Sequence, residues 1–391
     1  MEQVRIGIIG FGGMGSSHGR YLAAGKVSGA KLVAVCDVNP AREQAARQQC
    51  GEDILFFNHA DALFAAGVVD AVMIATPHYF HPPLAIQAFA HGCHVLSEKP
   101  AGVYAKQVRA MNEAAAQSGK VFGVMFNQRT LDVFQKMREL VQSGELGEVR
   151  RVVYQITNWF RPQAYYDSGG WRATWAGEGG GVLVNQCPHN LDLWQWICGM
   201  PSRLRASCYF GKYHNIEVED DVTAYVEYPN GATGVFITTT GEAPGTNRFE
   251  ITGDRGKLLF EDGTLTFWRT RASVGEFLKT SQEHFTRPEC WECKIPTGGG
   301  GGHADITQNW VNAIRTGAPL LAAGEEGIRG VQIANAMHLS AWTDAWVDVP
   351  ADEDLYYEQL QEKIRTSTFQ KGAVEEKTMD FAGSFNTAPP I

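Results

Sequence analysis

The residues Gly10-Phe11-Gly12-Gly13-Met14-Gly15 carry the spacing G-x-G-x-x-G, directly after the apolar run Val4 to Ile9 and at the start of a helical stretch reaching about Ala24. In a strand-turn-helix unit, that spacing cradles a dinucleotide. Gly10 permits the tight turn, Gly12 lets backbone approach a pyrophosphate, and Gly15 lets helix and strand pack closely, with the phosphates at the positive helix end. Asp37 closes the second apolar run about twenty positions on, where a carboxylate meets the ribose hydroxyls. It favours NAD by repelling the 2′-phosphate of NADP, while nearby Arg42 leaves NADP open. The alternative for Asp37 is to cap the helix beginning near Pro40.

Two other patterns carry less. Gly15-Ser16-Ser17-His18-Gly19 matches the G-x-S-x-G of a nucleophile elbow, but Ser17 would lie inside the helix after the phosphate turn, not on the turn itself. Cys290 and Cys293 form the only close cysteine pair, with His284 as the sole further zinc ligand nearby, so no metal is expected.

These groups need a scaffold, and the 391 residues suffice for two domains. A chain 44% hydrophobic and 20% charged suits a globular fold. The net charge of -9 offers no basic footprint for nucleic acid. No apolar run is long enough to span a membrane, and eight scattered cysteines fit a reducing compartment, so a cytoplasmic protein is expected. Up to about residue 126, short apolar runs alternate with amphipathic stretches, which predicts a parallel sheet covered by helices. Beyond about residue 150, Val222, Ala224 and Val226 alternate with Thr223, Tyr225 and Glu227, and Asn230-Gly231 and Asp262-Gly263 mark hairpins. The fold class expected is α/β: an N-terminal doubly wound parallel sheet over 1–126, then an α/β domain with an open, largely antiparallel sheet over 127–366. The polar tail 367–391 reads as an arm or a disordered end.

Ser97-Glu98-Lys99-Pro100, preceded by Ala75-Thr76-Pro77 with His81 and followed by Gly179-Gly180-Gly181 with His189, resembles the Gfo/Idh/MocA oxidoreductases. The likeness reaches about residue 345. It implies a Rossmann domain joined to an open-sheet domain, NAD(P)-dependent redox chemistry on sugars or cyclic polyols, and a homodimer or homotetramer formed through the outer face of the open sheet. It adds Thr76, Pro77, His81, Glu98 and Lys99 to the cofactor residues and puts Lys99, before a cis peptide, between nicotinamide ribose and substrate.

The chemistry agrees with that placement. Oxidising a carbinol requires its hydroxyl proton to leave, so a cation beside the developing alkoxide and a nearby base both lower the barrier. Lys99 suits the first role and His189 the second; otherwise they are a surface lysine and a buried structural histidine. Asp192, three residues after His189 on a helix, is expected beside it as a ligand for a substrate hydroxyl. Asn185 stands where most relatives carry an aspartate, so any electrostatic help to His189 is absent there. Trp159, Phe160, Tyr165, Tyr166, Trp171 and Trp175, interspersed with Arg161 and Arg172, offer faces for a sugar ring or packing for the sheet. By resemblance Arg172 is the best substrate contact of this stretch, with His303 a weaker one. The expected activity is oxidation of a secondary hydroxyl of a sugar, glycoside or inositol. The alternatives are an NAD-dependent glycosidase working by transient oxidation, a dinucleotide sensor without turnover, and a reductase of the corresponding ketose.

Overall fold

The computed structural model describes residues 3–371. Its first half alternates β1 (Val4–Ile9), α1 (Gly13–Ala23), β2 (Ala30–Cys36), α2 (Arg42–Cys50), β3 (Leu55–Phe57), α3 (Ala60–Ala65), β4 (Ala71–Ile74), α4 (His81–Ala90), β5 (His94–Ser97), α5 (Ala105–Ser118) and β6 (Phe122–Val124). The strands are parallel in the order β3-β2-β1-β4-β5-β6. This is the dinucleotide-binding arrangement, whose order reverses beside β1 and opens a crevice at the strand ends. The runs of Val, Ile, Leu and Ala are buried on both faces, as helices above and below the sheet require.

The second half runs α6 (Asp132–Gln142), β7 (Val149–Ile156), α7 (Gln163–Asp167), α8 (Pro188–Cys198), β8 (Arg203–Phe210), β9 (Glu219–Glu227), β10 (Thr233–Thr239), β11 (Asn247–Gly253), β12 (Gly256–Glu261) and β13 (Thr264–Thr270). It ends with α9 (Val274–Thr280), β14 (Cys290–Ile295), α10 (His303–Thr316), α11 (Gly327–Thr343), β15 (Val347–Asp348) and α12 (Glu353–Thr366). Nine strands form one open sheet, β14-β13-β12-β11-β7-β10-β9-β8-β15, antiparallel except between β7 and β10. Its alternation is the one the sequence predicts: Val222, Ala224 and Val226 are buried, while Thr223 and Tyr225 face out. At the β12–β13 hairpin Asp262 and Gly263 take φ of 49° and 72°, the double left-handed turn that matches strand twist.

Three features add detail to the sequence reading. Helix α10 returns to the first domain, where Ile306, Trp310 and Val311 join its core, so the packing does not follow a cut at residue 126. Cys290 and Cys293 lie three apart on β14 and point to opposite faces of the strand, which does not bring two thiolates onto one ion. Of the tail, Ser367 to Lys371 lie against the second domain, with the Lys371 ammonium donating to Gly169 O and, at 2.9 Å, to Arg172 O. Residues 372–391 of the expected arm lie outside the described residues. Among the described residues no helix is long and apolar enough to cross a membrane.

Candidate active site

A cleft of about 700 Å³ runs from the α1 N-terminus across the ends of β4 and β5 to the segment before α8. Gly10, Gly12, Gly13 and Met14 line one end. The glycines are needed for distinct reasons. Gly10 has φ 91°, and a Cβ there would stand 2.7 Å from Ala75 O. A Cβ on Gly15 would come within 1.9 Å of Gly10 O. A Cβ on Gly12 would meet nothing within 4 Å, so this position borders open space. No acidic residue occupies the first turn of α1, which leaves its positive end available to an anion. Phe11 and Gly15, assigned to the cofactor from sequence, do not line the cleft. The Phe11 ring is fully buried in the core and Gly15 packs beneath the turn.

Asp37 ends β2 at the same rim. Its Oδ2 accepts the Phe11 N–H at 2.7 Å and its Oδ1 the Asn39 N–H at 2.9 Å. Helix α2 starts later, after Ala41, so Asp37 does not cap it. Thr76 Oγ1, deeper in the cleft wall, is buried without a partner and is free to bond a ligand. Open space at Gly12, an uncompensated helix end, the rim carboxylate and this hydroxyl together fit a bound dinucleotide.

The middle of the cleft is built by the turn after β5. Glu98 Oε1 accepts from His18 Nε2 at 2.7 Å, and its Oε2 accepts the Lys99 N–H at 3.1 Å. Burial pushes the Glu98 carboxyl up, but the His18 hydrogen bond and nearby cations more than offset this and bring it to about 2. Its charge is thus spent holding the turn. His81 is similarly structural: its ring nitrogens face Pro100 O at 2.8 Å and Thr76 O at 2.7 Å. The Lys99–Pro100 peptide is cis, as the resemblance implies. Lys99 Nζ donates to Asn185 O at 2.9 Å. Burial pulls the Lys99 ammonium below its ordinary pKa, opposed by Glu98 and Glu178 and assisted by Arg172 and Arg161.

His189, in the first turn of α8, lines the cleft opposite, and its Nδ1 is buried without a partner. Burial, then Lys99, holds it well below the usual histidine range, so it is neutral at neutral pH. His303 borders the site beside His18, 5.7 Å between ring centroids, with burial lowering it to about 4.

Asp192 does not reach the cleft. Nearly every residue of α8 is buried, so a three-residue spacing from His189 does not select an open face. Its carboxylate turns instead to Arg129, which donates from Nε at 2.8 Å and from a terminal nitrogen at 2.6 Å. Asn185 lines the cleft, but its amide donates to Glu178 and makes no hydrogen bond with His189.

The aromatic stretch divides. Trp159, Tyr165 and Trp171 line the cleft; Tyr166 and Trp175 are in the core, and Phe160 points outward. Arg172 lies over the Trp171 and Tyr165 rings, 4.5 and 4.7 Å from their centroids, and donates to Tyr165 Oη at 2.9 Å. Sequence reasoning missed His78, whose ring meets Trp171 edge-on at 5.2 Å, and Glu178, from which Arg172 stands 3.8 Å. A signal for Glu178 was present: a carboxylate flanked by glycines, immediately before the triple-glycine motif.

Two sequence models match this chain. The NAD-binding Rossmann fold of an oxidoreductase family covers residues 4–126, and the Gfo/Idh/MocA C-terminal domain covers 134–259. The D-glucoside 3-dehydrogenase of Escherichia coli K12 is 30% identical over 246 residues, 58% of this chain and 68% of that one. An inositol 2-dehydrogenase of Rhizobium meliloti is 25% identical over 345 residues, 85% and 95% of the two chains. The WlbA dehydrogenase from Chromobactrium violaceum, solved with NADH and UDP-GlcNAcA, superposes with a TM-score of 0.77 at 27% identity, covering 90% of this chain and 97% of that one.

Proposed function

Since the chain belongs to the Gfo/Idh/MocA oxidoreductases, we propose that it oxidises a secondary hydroxyl of a sugar, glycoside or cyclic polyol with NAD as acceptor. The observation that carries this reading is that Lys99 and His189 line one cleft with the glycine turn, the one an amine and the other a neutral imidazole. The bound nicotinamide supplies the two-electron acceptor for the carbinol hydrogen. Lys99 Nζ, fixed by Asn185 O, stabilises the oxygen as negative charge develops on it. His189 takes the hydroxyl proton on a ring nitrogen and later releases it to solvent. Trp171 and Tyr165 offer ring faces to the sugar, and Arg172 binds its hydroxyl oxygens. The substrate names of the similar dehydrogenases, a glucoside and an inositol, support this class.

A panel of glycosides and polyols with NAD, followed by nicotinamide absorbance, tests the proposal. Net NADH is the expected product. Release of an aglycone without net NADH would replace it with transient oxidation in a hydrolase.

Coenzyme choice follows from Asp37. A 2′-phosphate beside its carboxylate meets like charge, so NAD is expected to exceed NADP in kcat/KM by about tenfold or more. Asp37→Asn keeps an acceptor for the Phe11 N–H while removing the charge, and is expected to narrow the ratio. An unchanged ratio would take Asp37 out of coenzyme selection.

Eight free thiols suit a reducing cytoplasm. The outer face of the nine-stranded sheet exposes Tyr209, Tyr225 and Trp346, consistent with self-association there. Sedimentation should give at least twice 42.9 kDa, and a monomer mass would refute that association.

A further inference from the structure

We propose that Glu178 is a positioning residue of this site, which clamps Arg172 and, through Asn185, holds Lys99 in place. The inference rests on the oxidoreductase reading above and adds to it a residue outside the motifs that carry the resemblance. Glu178 is followed by Gly179-Gly180-Gly181, where Gly179 and Gly180 take φ of 82° and 157° and a Cβ on Gly181 would stand 2.0 Å from Glu219 O. Only glycines fit that path, and it turns the Glu178 carboxylate inward, 1% exposed.

One oxygen accepts from Asn185 Nδ2 and the other from the Ala173 N–H at 2.6 Å, with Arg172 3.8 Å away. Both oxygens face donors, as an ionised carboxylate requires. Burial, with neighbouring Glu219, raises the Glu178 carboxyl above its ordinary value, and Arg172 and the two hydrogen bonds are what favour the ion against that. Lys371, across the 169–172 segment, is pulled below its ordinary value by burial, with Glu178 opposing and Arg172 adding to the fall. A carboxylate this deep is tolerated only when matched by charge, and the matching charge stands at the cleft.

The clamp reaches the reacting groups by two routes. Asn185, held through its amide, presents the carbonyl that accepts from Lys99 Nζ. Arg172 is fixed between Glu178 and Tyr165 Oη, which orients its planar fork. Around Lys99, Glu98 and Glu178 favour the ammonium and Arg172 and Arg161 oppose it. His78 and His189, which burial keeps neutral, add no charge.

Glu178→Gln keeps the side-chain shape and removes the charge. The rate at which an amine-acylating reagent labels Lys99, read by peptide mass spectrometry across a pH series without substrate, reports its ionisation directly. The labelling midpoint is expected to fall by roughly one pH unit. The alkaline limb of kcat/KM should move the same way, because the ammonium is lost at lower pH. In Glu178→Gln/Asn185→Asp a carboxylate returns to the same pair of positions, and both midpoints are expected to recover toward wild type.

An unmoved Lys99 midpoint in a folded Glu178→Gln protein would overturn the proposal and leave Glu178 a packing residue. Should that variant not fold, the double variant decides: a wild-type midpoint supports the proposal, and a lowered midpoint or a second failure to fold overturns it. Because labelling needs no substrate, a wild type that oxidises nothing in the panel defeats the functional reading without touching this result.

Discussion

Lys99→Met is expected to lower kcat by about a hundredfold or more, with NAD affinity nearly unchanged, and His189→Gln to do the same. Methionine keeps the length and apolar stem of Lys99 and deletes only the cation that meets the developing alkoxide. Glutamine at position 189 keeps a polar group there and deletes the base. The glycine turn and Asp37 are untouched in both variants, so dinucleotide binding should survive, as fluorescence titration with NADH can check. The pH dependence carries a second sign. His189 lies well below the usual histidine range, so its base form persists into acid and the acid limb of kcat/KM should sit below pH 6.5. Lys99 lies below its ordinary value, so the alkaline limb should sit below 10.5. Either variant retaining near wild-type kcat, with hydride transfer limiting the rate, would remove that residue from the mechanism.

The two halves of the cleft differed in how far they could be read from the chain alone. The glycine turn is a local object: Gly10, Gly12 and Gly15 act within one strand, one turn and one helix, and their spacing encodes the close approach of Gly15 to Gly10. The hairpin at Asp262-Gly263 is local in the same way, since two left-handed residues in a row announce themselves. The substrate end is assembled from distant pieces. His78 meets the Glu178 carbonyl across 100 positions, and Lys99 meets Asn185 across 86. No periodicity records such meetings.

The placement of β7 between β10 and β11 is illegible for a similar reason. It joins two runs of sequential strands, β8 to β10 and β11 to β14, and no turn next to β7 names either neighbour. Helical spacing failed for Asp192 because amphipathic reasoning presupposes one wet face, and α8 has none. Once every face is buried, the direction of a polar side chain is chosen by its partner, and here that partner lies 63 residues away.

That partner makes the largest expected effect on stability. Arg129 is fully buried, donates twice to Asp192, once to Leu321 O at 2.9 Å and once to Glu326, and lies over the Trp196 ring at 5.1 Å. Burial raises the Asp192 carboxyl above its ordinary value even with Arg129 pulling it down, so its ionised form depends on that guanidinium. Arg129→Met leaves the carboxylate buried with Gln195 as its remaining donor, an unmatched charge expected to cost about 3–5 kcal/mol of stability. Arg129→Met/Asp192→Leu removes both charges and fills the space with apolar side chains, so most of the loss should return. Urea unfolding of the three proteins, compared with wild type, measures both steps. If Asp192 were instead a substrate ligand, Asp192→Asn would raise KM and leave the unfolding midpoint alone. The structure predicts the reverse, a lowered midpoint with KM nearly constant, because the amide returns only one acceptor to a fork that needs two.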